Sequence, residues 1–259
     1  MNQEKRILVC EDSMEGIFSA VYDGWKECAG GCKVSIQTSF PVNMELFTSY
    51  REIVTDQSKA GKVMRTILMR LGSEVYEQIC LAAASADEDR GTAIYYVLHR
   101  AFGGGRCEKR VMEALADPYV SRVAKLALCV KREYHHYFGF VRFREISGRF
   151  LLAKIQPGND ILSLMALHFS NRFPNENWVI YDEKRQKALC HEKGKECVMR
   201  KEVRIQVPGS AVGDMGKYEE LWQTFCDSIS IEARRNEKLQ KQMLALHFRS
   251  NMPEFSVKG

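Results

Sequence analysis

The chain has 259 residues, 45% hydrophobic and 27% charged, with a formal net charge of +5. That supports a substantial core in one large domain or two modest ones, and it excludes a disordered or low-complexity chain. The opening MNQEKRILVCEDSMEG flanks a very short apolar run with charges; it is neither a signal peptide nor a membrane span, so a cytoplasmic protein with no membrane association is expected.

Lys5–Cys10 (KRILVC) reads as an opening strand, and Asp12 or Ser13 caps a helix in which Ile17, Phe18, Val21 and Trp25 recur at helical spacing. After Gly30-Gly31, Lys33–Thr38 reads as a second short strand, paired with the first across the helix and ended by Pro41. From Asp56 to Arg100 the apolar spacing is helical, interrupted at Leu71-Gly72-Ser73 and at Ser85–Asp89, which predicts two or three short helices. Gly103-Gly104-Gly105 is the expected hinge of a single domain covering residues 1–259. A helix from about Pro118 to Tyr137 follows, burying Val123, Leu126, Ala127 and Val130.

Beyond it the pattern predicts a hairpin from Phe140 to Ile155 around Ser147-Gly148, then a helix from Asp160 to Arg172 capped by Asn159 or Asp160. A second hairpin pairs Trp178–Asp182 with Ala188–His191. Gly209–Gly216 reads as a loop. Two helices close the chain, one carrying Leu221, Trp222, Phe225 and Ile229, the other running from about Glu232 to Leu246. Strands and helices mix without a regular βαβ rhythm, so the expected class is α+β, a mixed or antiparallel sheet with several helices.

The richest stretch in chemistry is Lys131–Phe173. Between Lys131 and Lys154 six Lys/Arg face two Glu, a net +4 in a chain of +5. Cations set among rings suit a phosphate backbone with stackable bases, because Lys/Arg displace condensed counterions while ring faces accept unpaired bases. DNA is therefore an expected partner, with Lys131, Arg132, His135, His136, Arg142, Arg144 and Lys154 as contacts. The same residues also fit a half-buried hairpin with its arginines on the wet face.

His168 and Arg172 stand four apart on one helical face and could together grip a phosphate or move a proton. A core histidine on the stripe of Ile161 and Leu164 fits that spacing too. His168, Arg172 and Asp182 are the candidate catalytic groups, although an Asp closing a strand at a turn is common. Lys154, ahead of Pro157 and the next helix, could place a cation beside free helix amides. Arg234, Arg235 and Asn236 open the last helix as further DNA contacts. The nine Cys read as reduced thiols. Cys28 and Cys32 lack nearby third and fourth ligands, and Cys190 and His191 are neighbours whose side chains leave a strand on opposite faces, so no metal and no cofactor are expected. No enzyme signature such as GxSxG, a P-loop, HExxH or CxxxCxxC is present.

The segments TDQSKAGKV (55–63), VKREYHHYFGFVRF (130–143), KIQPGNDILSLMALHFSNRFPNENWVIYD (154–182) and SISIEARRNEKLQKQM (228–243) resemble a bacterial family of unknown function described as a DNA metabolism protein. Members stand alone, encoded beside a radical-SAM protein linked to DNA repair or modification, or are joined to a uracil-DNA glycosylase-like domain. The resemblance implies a DNA-binding accessory role beside a radical-SAM or glycosylase-type partner. The alternative is an enzyme acting on nucleic acid in its own right through a His/Arg phosphate-binding cleft.

Overall fold

A computed structural model describes residues 5–28, 32–41, 43–103, 110–146, 150–205, 224–225, 228, 236–244, 246–249, 252 and 255. The chain forms two compact units, residues 1–132 and 133–259. The class is α+β. No helix among the described residues is long and apolar enough to cross a membrane.

In the first unit, β1 (Lys5–Cys10) buries four successive residues, Ile7 to Cys10, the mark of a strand covered on both faces. It is the middle of a three-stranded sheet, flanked by β2 (Lys33–Gln37) and β3 (Thr48–Ile53), all parallel. The helix α1 (Met14–Cys28) links β1 to β2, and Ser13 caps it by accepting from the Gly16 amide at 3.0 Å. β3 has no counterpart in the predicted elements. Only one of its six residues is fully buried, so it carries no apolar alternation to read.

The segment predicted as two or three helices folds into α2 (Gln57–Leu71), α3 (Ser73–Ala83) and α4 (Arg90–Gly103). The carboxylate of Asp56 caps α2, accepting from Ser58 and Lys59. Gly72 breaks α2 from α3 at φ 97° and ψ 171°, backbone that only glycine adopts readily. Gly103 is the last residue of α4, and Gly104 and Gly105 lie outside the described residues. The 23-residue α5 (Pro118–Phe140) is capped by Asp117, which accepts from Tyr119 and Val120.

The second unit holds a mixed sheet ordered β4-β5-β6-β7-β8. Its strands are β4 (Arg144–Ile146), β5 (Phe150–Ile155), β6 (Trp178–Asp182), β7 (Lys187–His191) and β8 (Val198–Arg200). β5 and β6 are parallel, joined by α6 (Leu162–Arg172), and the other pairs are antiparallel. The first predicted hairpin is shorter than expected. Phe140 ends α5 instead of opening a strand, because Tyr134, Tyr137, Phe138 and Phe140 recur at helical spacing and pack on rings outside the sheet. The edge strand β8, with no fully buried residue, was again invisible to periodicity.

Register divides the sheet's faces. Ala153, Ile155, Trp178, Ile180 and Leu189 share one face, where Trp178 meets Phe169 of α6. Leu152, Tyr181 and Ala188 share the other, closed by Ile146, Val203 and Ile205. Short helices α7 (Glu237–Met243) and α8 (Leu246–Arg249) follow, and Phe248 of α8 packs against Tyr137 with ring centres 4.8 Å apart.

Candidate nucleic-acid interface

Two neighbouring turns of α5 and the end of α6 bring together the rings of the second unit. Tyr134 and Phe138 lie one helical turn apart, and the exposed His135 stacks on Tyr134 at 4.9 Å and 23°. From α6, His168 lies flat on Phe138, centres 3.9 Å apart and planes within 11°. Arg172, one turn further along α6 and exposed, extends over Phe173 at 5.5 Å. Phe143 closes the row, edge-on to both Phe169 and Phe173.

The electrostatics of this row are uneven. Burial lowers the His168 pKa, and the positive charges of Arg172 and His135 push it the same way, so the ring stays neutral where an ordinary histidine begins to protonate. Its Nε2 is shielded from solvent and has no hydrogen-bond partner. Neutral stacked rings bordered by a guanidinium and a second imidazole can accept a planar base and an anionic group side by side.

A second constellation sits at the carboxyl ends of the parallel strands β5 and β6. Glu133 of α5 accepts from the Gly158 amide at 2.6 Å, the Asn159 amide at 3.0 Å and the Asn159 side chain at 2.5 Å. Arg185 grips the same loop from the β6–β7 turn, donating to the carbonyls of Pro157 and Gly158. Asp182, fully buried, anchors Arg185 at 3.2 Å and accepts from the amides of Lys184 and Arg185. Tyr137 lies beside this network, its phenol pushed well up by burial and by the Glu133 charge. The loop, Glu133, Glu183 and Lys184 border an open cleft of about 520 Å³.

This network answers several expectations directly. Neither Asn159 nor Asp160 caps α6; Ile161 holds the cap position without a side-chain bond, since Asn159 is drawn to Glu133 and Asp160 to Lys187. The loop amides proposed to meet phosphate are filled by the Glu133 carboxylate. Lys154 pairs with Glu183 at 3.2 Å, while His168 and Arg172 belong to the ring row. Asp182 serves the turn.

The other predicted contacts scatter. Lys131 pairs with Glu77 in the first unit at 3.5 Å, and Arg132 is exposed on the same helix. His136 faces Phe140 and Phe248. Arg142 donates to the carbonyls of Gly139 and Val141, and Arg144 is exposed on the edge strand β4. Asn236 caps α7, accepting from Leu239 at 3.0 Å, and Arg234 and Arg235 lie outside the described residues. Among the described residues no group of three His, Cys, Asp or Glu is placed to hold a metal ion. His191 stacks on Trp178 from one face of β7, with Cys190 on the other.

Sequence reasoning missed Phe138 as the stacking partner of His168, with Tyr134 beside Phe138, and it missed the Glu133–Arg185 clamp. The four-residue spacing of Tyr134 and Phe138 was the available signal for the first. Nothing local pointed to the second, because its bonds join residues 25 to 28 positions apart.

Neither a curated protein nor a solved structure matches this chain. A family model, that of a domain of unknown function (DUF4130), matches residues 88–254, which takes in α4, α5 and nearly all of the second unit. The match covers more than half of the sequence, and the chain belongs to that family.

Proposed function

We propose that the protein is a DNA-binding accessory factor in DNA repair or modification, holding single-stranded or distorted DNA for a radical-SAM or uracil-DNA glycosylase-type partner. The observation that carries the reading is the Phe138–His168 stack flanked by His135 and Arg172. Ring faces take unpaired bases, and the guanidinium meets the phosphate between them. The resemblance of residues 130–143 and 154–182 to the DNA-metabolism family supports the same role.

Affinity of the full chain for a single-stranded oligonucleotide, measured against salt concentration, tests it. Binding should weaken linearly on a log–log scale, and Arg172→Ala should reduce the slope by roughly 0.7, the share of one phosphate contact. A flat salt dependence, or a slope unmoved in the variant, overturns the reading.

One observation favours the second reading, an enzyme in its own right. The neutral His168 with an unpartnered Nε2 beside Arg172 is a proton acceptor next to an anion-binding group. Turnover of uracil-containing or damaged DNA by the purified chain alone, abolished by His168→Gln, would select it. Binding without turnover selects the accessory role.

A further inference from the structure

The first unit contains a groove that the DNA reading does not use. Helices α1, α2 and α4 leave a space of about 320 Å³, within the range of small-molecule sites, floored by Val21, Val63, Ile67 and Leu98 and walled by Trp25 and Phe102. Trp25 and Phe102 are tilted partners, centres 5.9 Å apart, and both remain half-buried. The Thr66 hydroxyl on the wall is turned to its own helix, donating to the Lys62 carbonyl at 2.7 Å. Such walls offer few hydrogen bonds to a nucleobase or sugar and suit a hydrocarbon body.

The rim is different in kind. Tyr22 carries three ammonium groups around its ring, Lys26 at 5.1 Å, Lys62 at 5.7 Å and Lys59 at 6.0 Å. Lys59 is neutralised by both oxygens of Asp23, at 2.9 and 2.8 Å. Among the described residues no carboxylate pairs with Lys26 or Lys62, although like charges held around one ring repel. An anion placed between them removes that repulsion and gains two charge-assisted contacts.

We infer that this groove binds a small amphipathic anion, its apolar body between Trp25 and Phe102 and its carboxylate or phosphate head between Lys26 and Lys62. The apolar floor selects the body and the uncompensated lysines select the head. Neither part alone holds a ligand: a bare anion finds only two exposed lysines, and a neutral hydrocarbon leaves their repulsion in place.

Calorimetric titration of the full chain with octanoate, octyl phosphate, octylamine and inorganic phosphate tests the inference. One or both of the octyl anions should bind saturably at one site, whichever is tighter naming the head group, while octylamine and inorganic phosphate do not. Lys26→Gln and Lys62→Gln, both exposed substitutions that leave the core alone, should each weaken binding about tenfold. Val63→Trp fills the groove and should abolish binding, with thermal unfolding as the check on its fold. Failure of both octyl anions to bind, equal binding of octylamine, or an affinity unmoved by the lysine variants overturns the proposal. DNA binding by Arg172 and its neighbours lies in the other unit, so loss of one activity leaves the other measurable.

Discussion

The two polar constellations of the second unit use similar chemistry to opposite ends. In the Glu133–Arg185 clamp, both oxygens of the Glu133 carboxylate are engaged, and Asp182 is sealed from solvent with three donors on its carboxylate. In the ring row the exposed His135 and Arg172 stand at the border of a stack whose central imidazole has an Nε2 without a partner. A charge whose bonds are complete holds the fold in place, and a charge that still has capacity is the one positioned to meet something else. The acidic residues of the basic window therefore matter as much as its cations. Glu133, one of only two acids between Lys131 and Lys154, occupies the amides that an external anion would need.

Substitutions in the clamp should be costly for stability and leave single-strand binding at the ring row unchanged. Asp182→Ala leaves a half-buried guanidinium and two amides without their acceptor, and should destabilise by about 3 kcal/mol, read by denaturant unfolding. A loss below about 1 kcal/mol would show that Arg185 holds the loop without it. Glu133→Ala, at a half-buried site, removes three accepted bonds and should cost about 2 kcal/mol. Because it also frees the Gly158 and Asn159 amides, inorganic phosphate should stabilise this variant and leave the wild type unchanged. Equal responses of the two proteins to phosphate would end the idea that the carboxylate fills an anion site.

Substitutions in the ring row should do the reverse. Arg172→Ala should change stability by less than about 0.5 kcal/mol, since the side chain is exposed, while weakening single-strand binding about tenfold at low salt. The smallest effect concerns His168. Its folded-state pKa is depressed, so an unfolded chain, whose histidine protonates near pH 6.5, takes up a proton that the folded chain refuses. Stability conferred by the neutral ring is present above that pH and is lost as pH falls toward the folded-state value. In His168→Gln this loss disappears, so the stability difference between wild type and variant should narrow on acidification. Parallel unfolding curves from pH 7.5 to 5 would show that the ring is not held neutral.

Much of the fold was legible where burial imposes a period. α1, α2, α4 and α5 were readable because residues such as Ile17, Val21, Ile67 and Val123 face cores at helical spacing, and β6–β7 because two short apolar runs flank a charged turn. Edge strands β3 and β8 were not, since little of either is buried. The pairing of β1 with β2 across α1 was readable from the strand–helix–strand order, but the parallel pairing of β5 with β6 is a long-range choice that local alternation does not encode. The same division applies to the site. The His168–Arg172 pair is a property of one helix and could be read, whereas its stacking partner Phe138 lies 30 positions away on another helix. Lys154 looked available in sequence because its partner Glu183 is brought round only by the folded sheet, whereas the turn role of Asp182 was readable, its partner Arg185 lying three residues on.

Gly72 has a consequence for chemical synthesis. An L-configured Cβ built there would find no atom within 4 Å, so handedness and not crowding is what bars an L side chain. The mirror image of φ 97° and ψ 171° is ordinary extended backbone, and a D-alanine at residue 72 would sit in it as comfortably as an L-residue sits in a strand. Assembled by ligation with that one inverted centre, the corner between α2 and α3 would lose the wandering of a glycine in the unfolded chain while keeping its native geometry. An L-alanine at the same place would have to bend the corner or bear the strain.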